Sequence, residues 1–285
     1  MEVLTTISEI RQKVKAARFA AKQIGLVPTM GALHEGHGAL IRQAVEECDI
    51  VVVSIFVNPT QFGPQEDLAR YPRTLQADAQ YCEKLGAHWI FAPSVEQMYP
   101  QEQLTWVHVE KLTEGLCGAH RPGHFRGVAT VCAKLFNIVQ PDVAYFGQKD
   151  AQQAAVIQKM VQDLNFPLEI RVCPTVRDKD GLALSSRNQY LSKTDRKKAL
   201  CLYQALQKCR ELIEAGHREP VQIRLAVESF FDQPDVSLEY FEIVEPHTLQ
   251  PLTEISGPVL AAAAVRVGTT RLIDNLLIDL QPPPA

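Results

Sequence analysis

An α/β fold built on a doubly wound parallel sheet, followed by a smaller α+β domain, is the architecture this sequence predicts. Three observations carry it. Short β-branched runs alternate with amphipathic stretches through the first half. The run Ile50-Val-Val-Val-Ser-Ile-Phe-Val57 is almost continuously apolar, as a strand covered on both faces should be. After about Pro174 the rhythm changes to two helical stretches and then three strands.

Taken in order, residues 24–29 read as a buried strand and 36–48 as a helix, ahead of the strand at 50–57. A helix over 75–85 and a strand over 89–92 follow. Residues 127–139 read as helical before a strand at 143–146, and 151–164 as helical before 168–172. Each strand–helix–strand unit fits a parallel crossover, and the ligand of such a sheet belongs at the carboxyl ends of its strands. In the second half, 193–215 and 221–231 read as helices, and 238–244, 259–267 and 272–278 as strands of an antiparallel sheet. The charged turn at 174–180 is the expected linker. Domains are therefore expected at 1–175 and 176–285, with the Pro-rich 281–285 a frayed end.

Composition narrows the function classes. A chain of 285 residues can support two unequal domains, and 46% hydrophobic with 22% charged residues is ordinary for a globular protein. A formal net charge of −4 argues against a nucleic-acid partner, which calls for a basic field. The seven cysteines (Cys48, Cys82, Cys117, Cys132, Cys173, Cys201, Cys209) are scattered without a Cys-x-x-Cys pair, so neither a zinc site nor a disulfide framework is expected. No signal-peptide core opens the sequence, and no run approaches the ~20 apolar residues that cross a bilayer. A reduced cytoplasmic protein with no membrane partner is the expectation.

Pro28-Thr-Met-Gly-Ala-Leu-His34-Glu-Gly-His37 is the sharpest motif: a strand leading through small residues into a helix. Histidines three apart lie on one side of a first helical turn. Helix N-termini expose unpaired N–H groups and a partial positive charge that attract phosphate. The pair suits stabilisation of charge on an α-phosphate under attack. A zinc pair is the competing reading, but no third ligand is near; chance surface histidines are another. The strand–turn–helix setting favours nucleotide chemistry.

Five further motifs occur in order. They are Asn58-Pro-Thr-Gln-Phe-Gly63, Asp67-Leu-x-x-Tyr-Pro-Arg-Thr74, His120-Arg-Pro-Gly-His-Phe-Arg-Gly-Val128, Phe146-Gly-Gln-Lys-Asp150 with Gln152-Gln153, and Leu184-Ser-Ser-Arg-Asn188. With the first, they closely resemble the pantothenate synthetase family over about residues 25–271. That resemblance implies a Rossmann-like nucleotide-binding domain, a smaller C-terminal lid and a homodimer. It implies ligation of pantoate to β-alanine through a pantoyl-adenylate made from Mg2+-ATP, with AMP and pyrophosphate released. His34, His37, Lys149 and Arg187 are the implied catalytic residues. Met30, Gly147, Lys149, Asp150, Val176, Leu184, Ser185, Ser186 and Arg187 join the two histidines as implied ATP contacts. Gln61, Gln153 and Arg121 are the implied pantoate contacts, and Asp78 aligns with a magnesium ligand.

The residue types agree with these roles. Glutamine offers a donor and an acceptor to a dihydroxy acid, lysine a mobile charge that follows phosphate, and arginine a fork for pyrophosphate oxygens. His120, Arg121 and His124 read equally well as a basic wall or a solvated loop. Gly38 and Gln148, Ala151 and Ala77 depart from common family choices, the first suggesting a looser helix start. A nucleotidyltransferase making a stable dinucleotide would share His34 and His37 but would not need the Gln61–Gln153 pair. A nucleotide-binding module without activity would be expected to have lost some of the four catalytic residues, and all are present.

Overall fold

The structure, a computed structural model, describes residues 1–64 and 66–280; the frayed end expected at 281–285 lies outside them. The elements in chain order are β1 (Glu2–Leu4), α1 (Ile7–Phe19), β2 (Ile24–Thr29), α2 (Glu35–Glu47), β3 (Ile50–Ile55), α3 (Leu75–Lys84), β4 (Trp89–Phe91), α4 (Val95–Met98), α5 (Cys117–His120) and α6 (His124–Val139). Then come β5 (Val143–Gly147), α7 (Ala151–Asp163), β6 (Glu169–Cys173), α8 (Lys193–Ala199), α9 (Cys201–Glu214), α10 (Pro220–Val227), β7 (Val236–Val244), β8 (Val259–Val267) and β9 (Thr270–Ile278).

Two compact units result. The first comprises Met1–Val109, Arg121–Gln148 and Gln153–Thr175; the second takes Glu110–His120, Lys149–Gln152 and the chain from Val176 on. Two short segments ahead of the cut expected at 175/176 thus sort with the second unit.

The first unit is a six-stranded sheet in the order β1-β4-β3-β2-β5-β6, with every pair parallel. β2 and β3 are its middle, and Ile24, Leu26, Val27, Val51, Val52 and Val53 have no exposed surface. Full burial of each such side chain stabilises by about 1.5–3 kcal/mol, which explains the uninterrupted apolar run. Successive crossovers run from β2 to β3 in one direction along the sheet and from β5 to β6 in the other. The reversal falls between β2 and β5, where a doubly wound sheet opens its ligand crevice. β2 pairs with β5 only through Gly25 and Leu26. Pro28, which lacks an N–H, lies beyond that short ladder, so its place in a central strand forfeits no bond to β5.

The sequence reading gave no element to the first nineteen residues, yet β1 and α1 fill them. Thr6 caps α1: Glu9 N donates to Thr6 Oγ1 at 3.2 Å, and Thr6 N donates to Glu9 Oε2 at 2.9 Å. This reciprocal box is legible as Thr6-Ile-Ser-Glu9. The helix expected at 127–139 begins at His124, and the one expected at 193–215 is interrupted at Leu200, whose N–H bonds to Lys197 O in a tighter step.

The second unit has the antiparallel sheet β7-β8-β9. Every residue of β8 except Arg266 is buried, and α9 contributes Leu202, Ala205, Leu206, Cys209 and Ile213 to the same core. A bulge between Leu238 and Tyr240 interrupts β7 at Glu239. Glu239 pairs there with Arg271 at 2.8 Å and Arg266 at 3.1 Å.

α6 reaches the turn after β3 through one glycine. A Cβ at Gly127 would stand 2.3 Å from Thr60 O and 2.7 Å from Gln61 N. Gly127→Ala is expected to push that turn away and lower stability by about 1–3 kcal/mol, as overpacking does. Urea unfolding checks it; an unchanged midpoint would mean that the close approach is dispensable.

Candidate functional site

In the first unit the chain leaves β2 through Gly31 (φ +83°) and Ala32 (φ +51°), two consecutive residues in the left-handed region. Glycine enters it freely, whereas alanine there costs about 1–2 kcal/mol. The Asp78 carboxylate compensates from α3. Its Oδ2 accepts from Ala32 N at 3.0 Å and Thr74 Oγ1 at 3.1 Å, and its Oδ1 accepts from Leu33 N at 2.8 Å. Thr29 adds two bonds, donating from Oγ1 to Ser54 O at 2.7 Å and accepting from Gly31 N at 3.1 Å.

The turn delivers His34 as the N-cap of α2, in extended conformation. His34 Nδ1 accepts from Gly36 N at 3.1 Å, and His37 Nδ1 accepts from His34 N at 3.3 Å. The two histidines therefore form a reciprocal capping box. Because each Nδ1 is an acceptor, the ring proton of each neutral imidazole lies on Nε2, leaving Nε2–H as its donor. The ring centroids are 4.2 Å apart. A pair of neutral donors at a helix N-terminus is suited to oxygens of a phosphate.

The expected looseness at Gly38 is not found. A Cβ there would meet the Tyr81 hydroxyl at 2.4 Å, so the tyrosine fills the room that a larger residue would take. Tyr81 OH donates to Glu35 Oε2 at 2.7 Å, and Arg42 also bonds to Glu35. Burial and this bond to a carboxylate push the Tyr81 hydroxyl up to about 12.

After β3, Asn58 organises the short turn Pro59–Gln61. Its Oδ1 accepts from Thr60 Oγ1 and Tyr99 OH, both at 2.9 Å, and its Nδ2 donates to Gly127 O at 3.2 Å and Gln61 Oε1 at 3.1 Å. Gln61 Nε2 then reaches Met30 Sδ at 3.1 Å, joining two of the predicted site residues. Gln61 is 8% exposed. The sequence reading missed Asn58 as the residue that holds Gln61. Its signal was an asparagine cap followed by proline at the first helical position.

Arg121 lies beside the same turn. Nε and Nη2 grip Glu66 at 2.7 and 2.6 Å, Nη1 donates to His124 Nε2 at 2.9 Å, and Nη2 approaches Gln61 O at 3.4 Å. Since arginine only donates, His124 accepts at Nε2 and donates from Nδ1 to Gln61 O at 2.8 Å. These contacts hold Arg121 and His124 in place, whereas His120 is exposed. Burial works against the Glu66 charge, but the hydrogen bonds and charge of Arg121 outweigh it and hold the carboxyl below the usual range. Gly147 closes β5 with open space where a Cβ would stand, and Gln153 sits half-buried in the first turns of α7.

In the second unit Lys149 and Asp150 occupy a short 3-10 turn, with Lys149 Nζ 3.6 Å from Asp150 Oδ2. Gln152, 6% exposed, ties this segment to 110–120: Nε2 donates to Leu112 O and Gly115 O, and Oε1 accepts from Cys117 N, each at 2.9 Å. Val176 and Leu184 face each other across a hairpin, joined by Leu184 N to Val176 O at 3.0 Å. Ser185 caps the following 3-10 helix Ser186–Tyr190 by accepting from Arg187 N at 3.3 Å.

Asp78 does not fit the magnesium role. It is 3% exposed, and its two oxygens face two backbone N–H groups and a hydroxyl. Among the described residues no group of three His, Cys, Asp or Glu side chains could hold a metal ion. All seven cysteines are free and buried, and no helix of the described residues is long and apolar enough to cross a membrane.

A doubly wound sheet whose middle strand ends in a two-histidine helix start defines a nucleotide-handling α/β protein. The comparisons name the family. The sequence model of pantoate-beta-alanine ligase matches residues 2–277. The pantothenate synthetase of Moorella thermoacetica is 57% identical over 281 residues, covering 98% of this chain and 99% of its own length. That of Pelotomaculum thermopropionicum is 54% identical over 279 residues, covering 98% and 99%. A crystal structure of the Thermus thermophilus pantothenate synthetase superposes with a TM-score of 0.91 at 48% identity, covering 97% of this chain and 99% of that one. The Francisella tularensis ligase, solved with β-γ ATP and β-alanine, gives 0.81 at 36% identity, covering 97% of each chain. The chain belongs to the pantoate–β-alanine ligase family.

Two outcomes test the geometry. Asp78→Ala leaves the Ala32 and Leu33 N–H groups without their acceptor, and is expected to lower stability by roughly 1–3 kcal/mol. A misplaced His34 would lower turnover about 100-fold besides. An unchanged melting temperature together with a raised magnesium requirement would restore the metal reading. The second outcome concerns acid. Glu66 has a folded-state pKa below its unfolded one, so the pair's stabilisation is full above about pH 4.3 and fades as pH falls through the folded value. Glu66→Gln should flatten that part of the stability–pH curve, measured by denaturant unfolding.

Proposed function

We propose that the chain joins pantoate to β-alanine with the energy of ATP, in two steps at one site. A pantoate carboxylate oxygen attacks the α-phosphorus, and the bond to pyrophosphate breaks. The amine of β-alanine then attacks the acyl carbon of the pantoyl-adenylate, giving the amide and releasing AMP with the oxygen that pantoate supplied. The single observation that carries this reading is the histidine box: two imidazoles locked as Nε2–H donors at the start of α2. Donors fixed before reaction stabilise developing charge without reorganising.

The remaining assignments follow the family motifs. His34, His37, Lys149 and Arg187 act on the phosphates. Met30, Gly147, Asp150, Val176, Leu184, Ser185 and Ser186 complete the ATP contacts. Gln61 and Gln153 receive pantoate, and Arg121 faces its carboxylate while anchored by Glu66. Magnesium enters as the companion of ATP, neutralising phosphate charge, with no ligand role for Asp78. A homodimer in the cytoplasm completes the reading.

Two experiments test it. Pyrophosphate should exchange into ATP when pantoate is present and β-alanine is not; exchange that strictly requires the amine would contradict the order of steps. His34 also caps α2, so alanine would confound catalysis with stability. Asparagine is among the best N-caps and can supply the lost acceptor. His34→Asn should therefore melt near the parent temperature yet exchange about 10²–10³-fold more slowly. Near-normal exchange would remove His34 from the chemistry.

A further inference from the structure

Within the second unit, two adjacent residues of β9 are polar and almost wholly buried: Asp274 is 3% exposed and Asn275 5%. Asn275 Nδ2 donates to the carbonyl of Lys149 at 2.8 Å. Asp274 takes a forked pair from Arg177, Oδ2 from Nη1 at 2.5 Å and Oδ1 from Nη2 at 2.9 Å. The same guanidinium donates to Asn275 O at 3.2 Å and Gly181 O at 3.1 Å, and lies 4.7 Å over the Tyr203 ring. Asn275 N closes the network on Asp274 Oδ1 at 2.8 Å.

Arg177 is not an isolated anchor. It pairs with Ala183 across the hairpin that turns at Gly181 (φ +95°), where a Cβ would collide with Tyr203 Cδ1 at 2.0 Å. Asn188 Nδ2 donates back to Ala183 O at 3.0 Å, joining the hairpin to the 3-10 helix that bears Ser186 and Arg187. One dipeptide thus holds both Lys149 and the Ser185–Arg187 stretch. The apolar contacts of β9 with the core come from other residues of the strand, Leu272, Leu276 and Ile278. A buried ion pair is a poor source of stability compared with apolar side chains of the same size, whereas it fixes direction well.

We propose that Asp274 and Asn275 form a positioning pair for the reaction, Asn275 setting Lys149 and Asp274, through Arg177, setting Ser185–Arg187. This rests on the reading that Lys149 and Arg187 act on the nucleotide. Neither residue of the pair touches substrate; each acts through another.

The test uses the full-length chain with pantoate-dependent pyrophosphate exchange, the KM for ATP and for β-alanine, and the melting temperature. Asn275→Ala is expected to lower exchange efficiency about 10- to 100-fold, the scale of an ångström's misplacement, with the KM for β-alanine unchanged. Arg177→Lys, which keeps the charge and loses the fork, should raise the KM for ATP in the same way. On a Lys149→Ala background, Asn275→Ala should add less than about 2-fold, because a group acting through Lys149 has nothing left to act on. The same loss on both backgrounds, or a loss that only tracks the unfolded fraction, would overturn the pair. Near-parental exchange in Lys149→Ala itself would overturn the role of Lys149, and the pair's purpose with it; the two failures are told apart by that single variant.

Discussion

A buried carboxylate holding two backbone N–H groups is the constraint on which the histidine site rests. The path from β2 to α2 passes through two left-handed residues, one of them alanine, and such a path persists only where its surroundings dictate it. Asp78 does so from a different helix, with Thr29 and Thr74 bracing either side. Once the turn is set, the histidine box follows from local geometry, and with it the tautomer of both rings. The placement of both imidazoles is thus decided by a carboxylate on another helix.

The same division recurs elsewhere. Asn58, 1% exposed, fixes Gln61 and joins the β3 turn to α6 at Gly127, whose missing Cβ permits the approach. Glu66 fixes Arg121, and Asp274 fixes Arg177. In each case a residue proposed or shown to carry a polar contact is oriented by a second one. Such pairing explains how Asn58, Glu66 and Asp274 are tolerated beside otherwise apolar cores: each of the three has its hydrogen-bond partners.

Periodicity made the strands and helices of the parallel sheet legible, because doubly covered strands are uniformly apolar and their helices amphipathic. β1 was missed because a three-residue edge strand leaves almost no pattern, whereas α1 was missed although its capping box, Thr6-Ile-Ser-Glu9, is legible. The two-histidine motif was legible because its spacing, strand and helix are all local. The bonds that commit Asp78 to the turn were not legible, for the opposite reason. Its partners lie forty-five and forty-six positions away, and sequence shows a carboxylate but not what faces it. Gly38 read as a defect until Tyr81, forty-three residues on, was seen to fill its space. Asn275 lies 126 residues from Lys149, and no local signal links them.

The central claim is that pantoate is activated on its carboxylate by AMP transfer, and oxygen labelling tests it most directly. Pantoate carrying 18O in both carboxylate oxygens, incubated with ATP and β-alanine, should yield AMP containing one 18O atom, detected by mass spectrometry or by the shifted phosphorus resonance. Unlabelled AMP, or label appearing in inorganic phosphate beside ADP, would contradict an acyl-adenylate and point instead to attack on a different phosphorus.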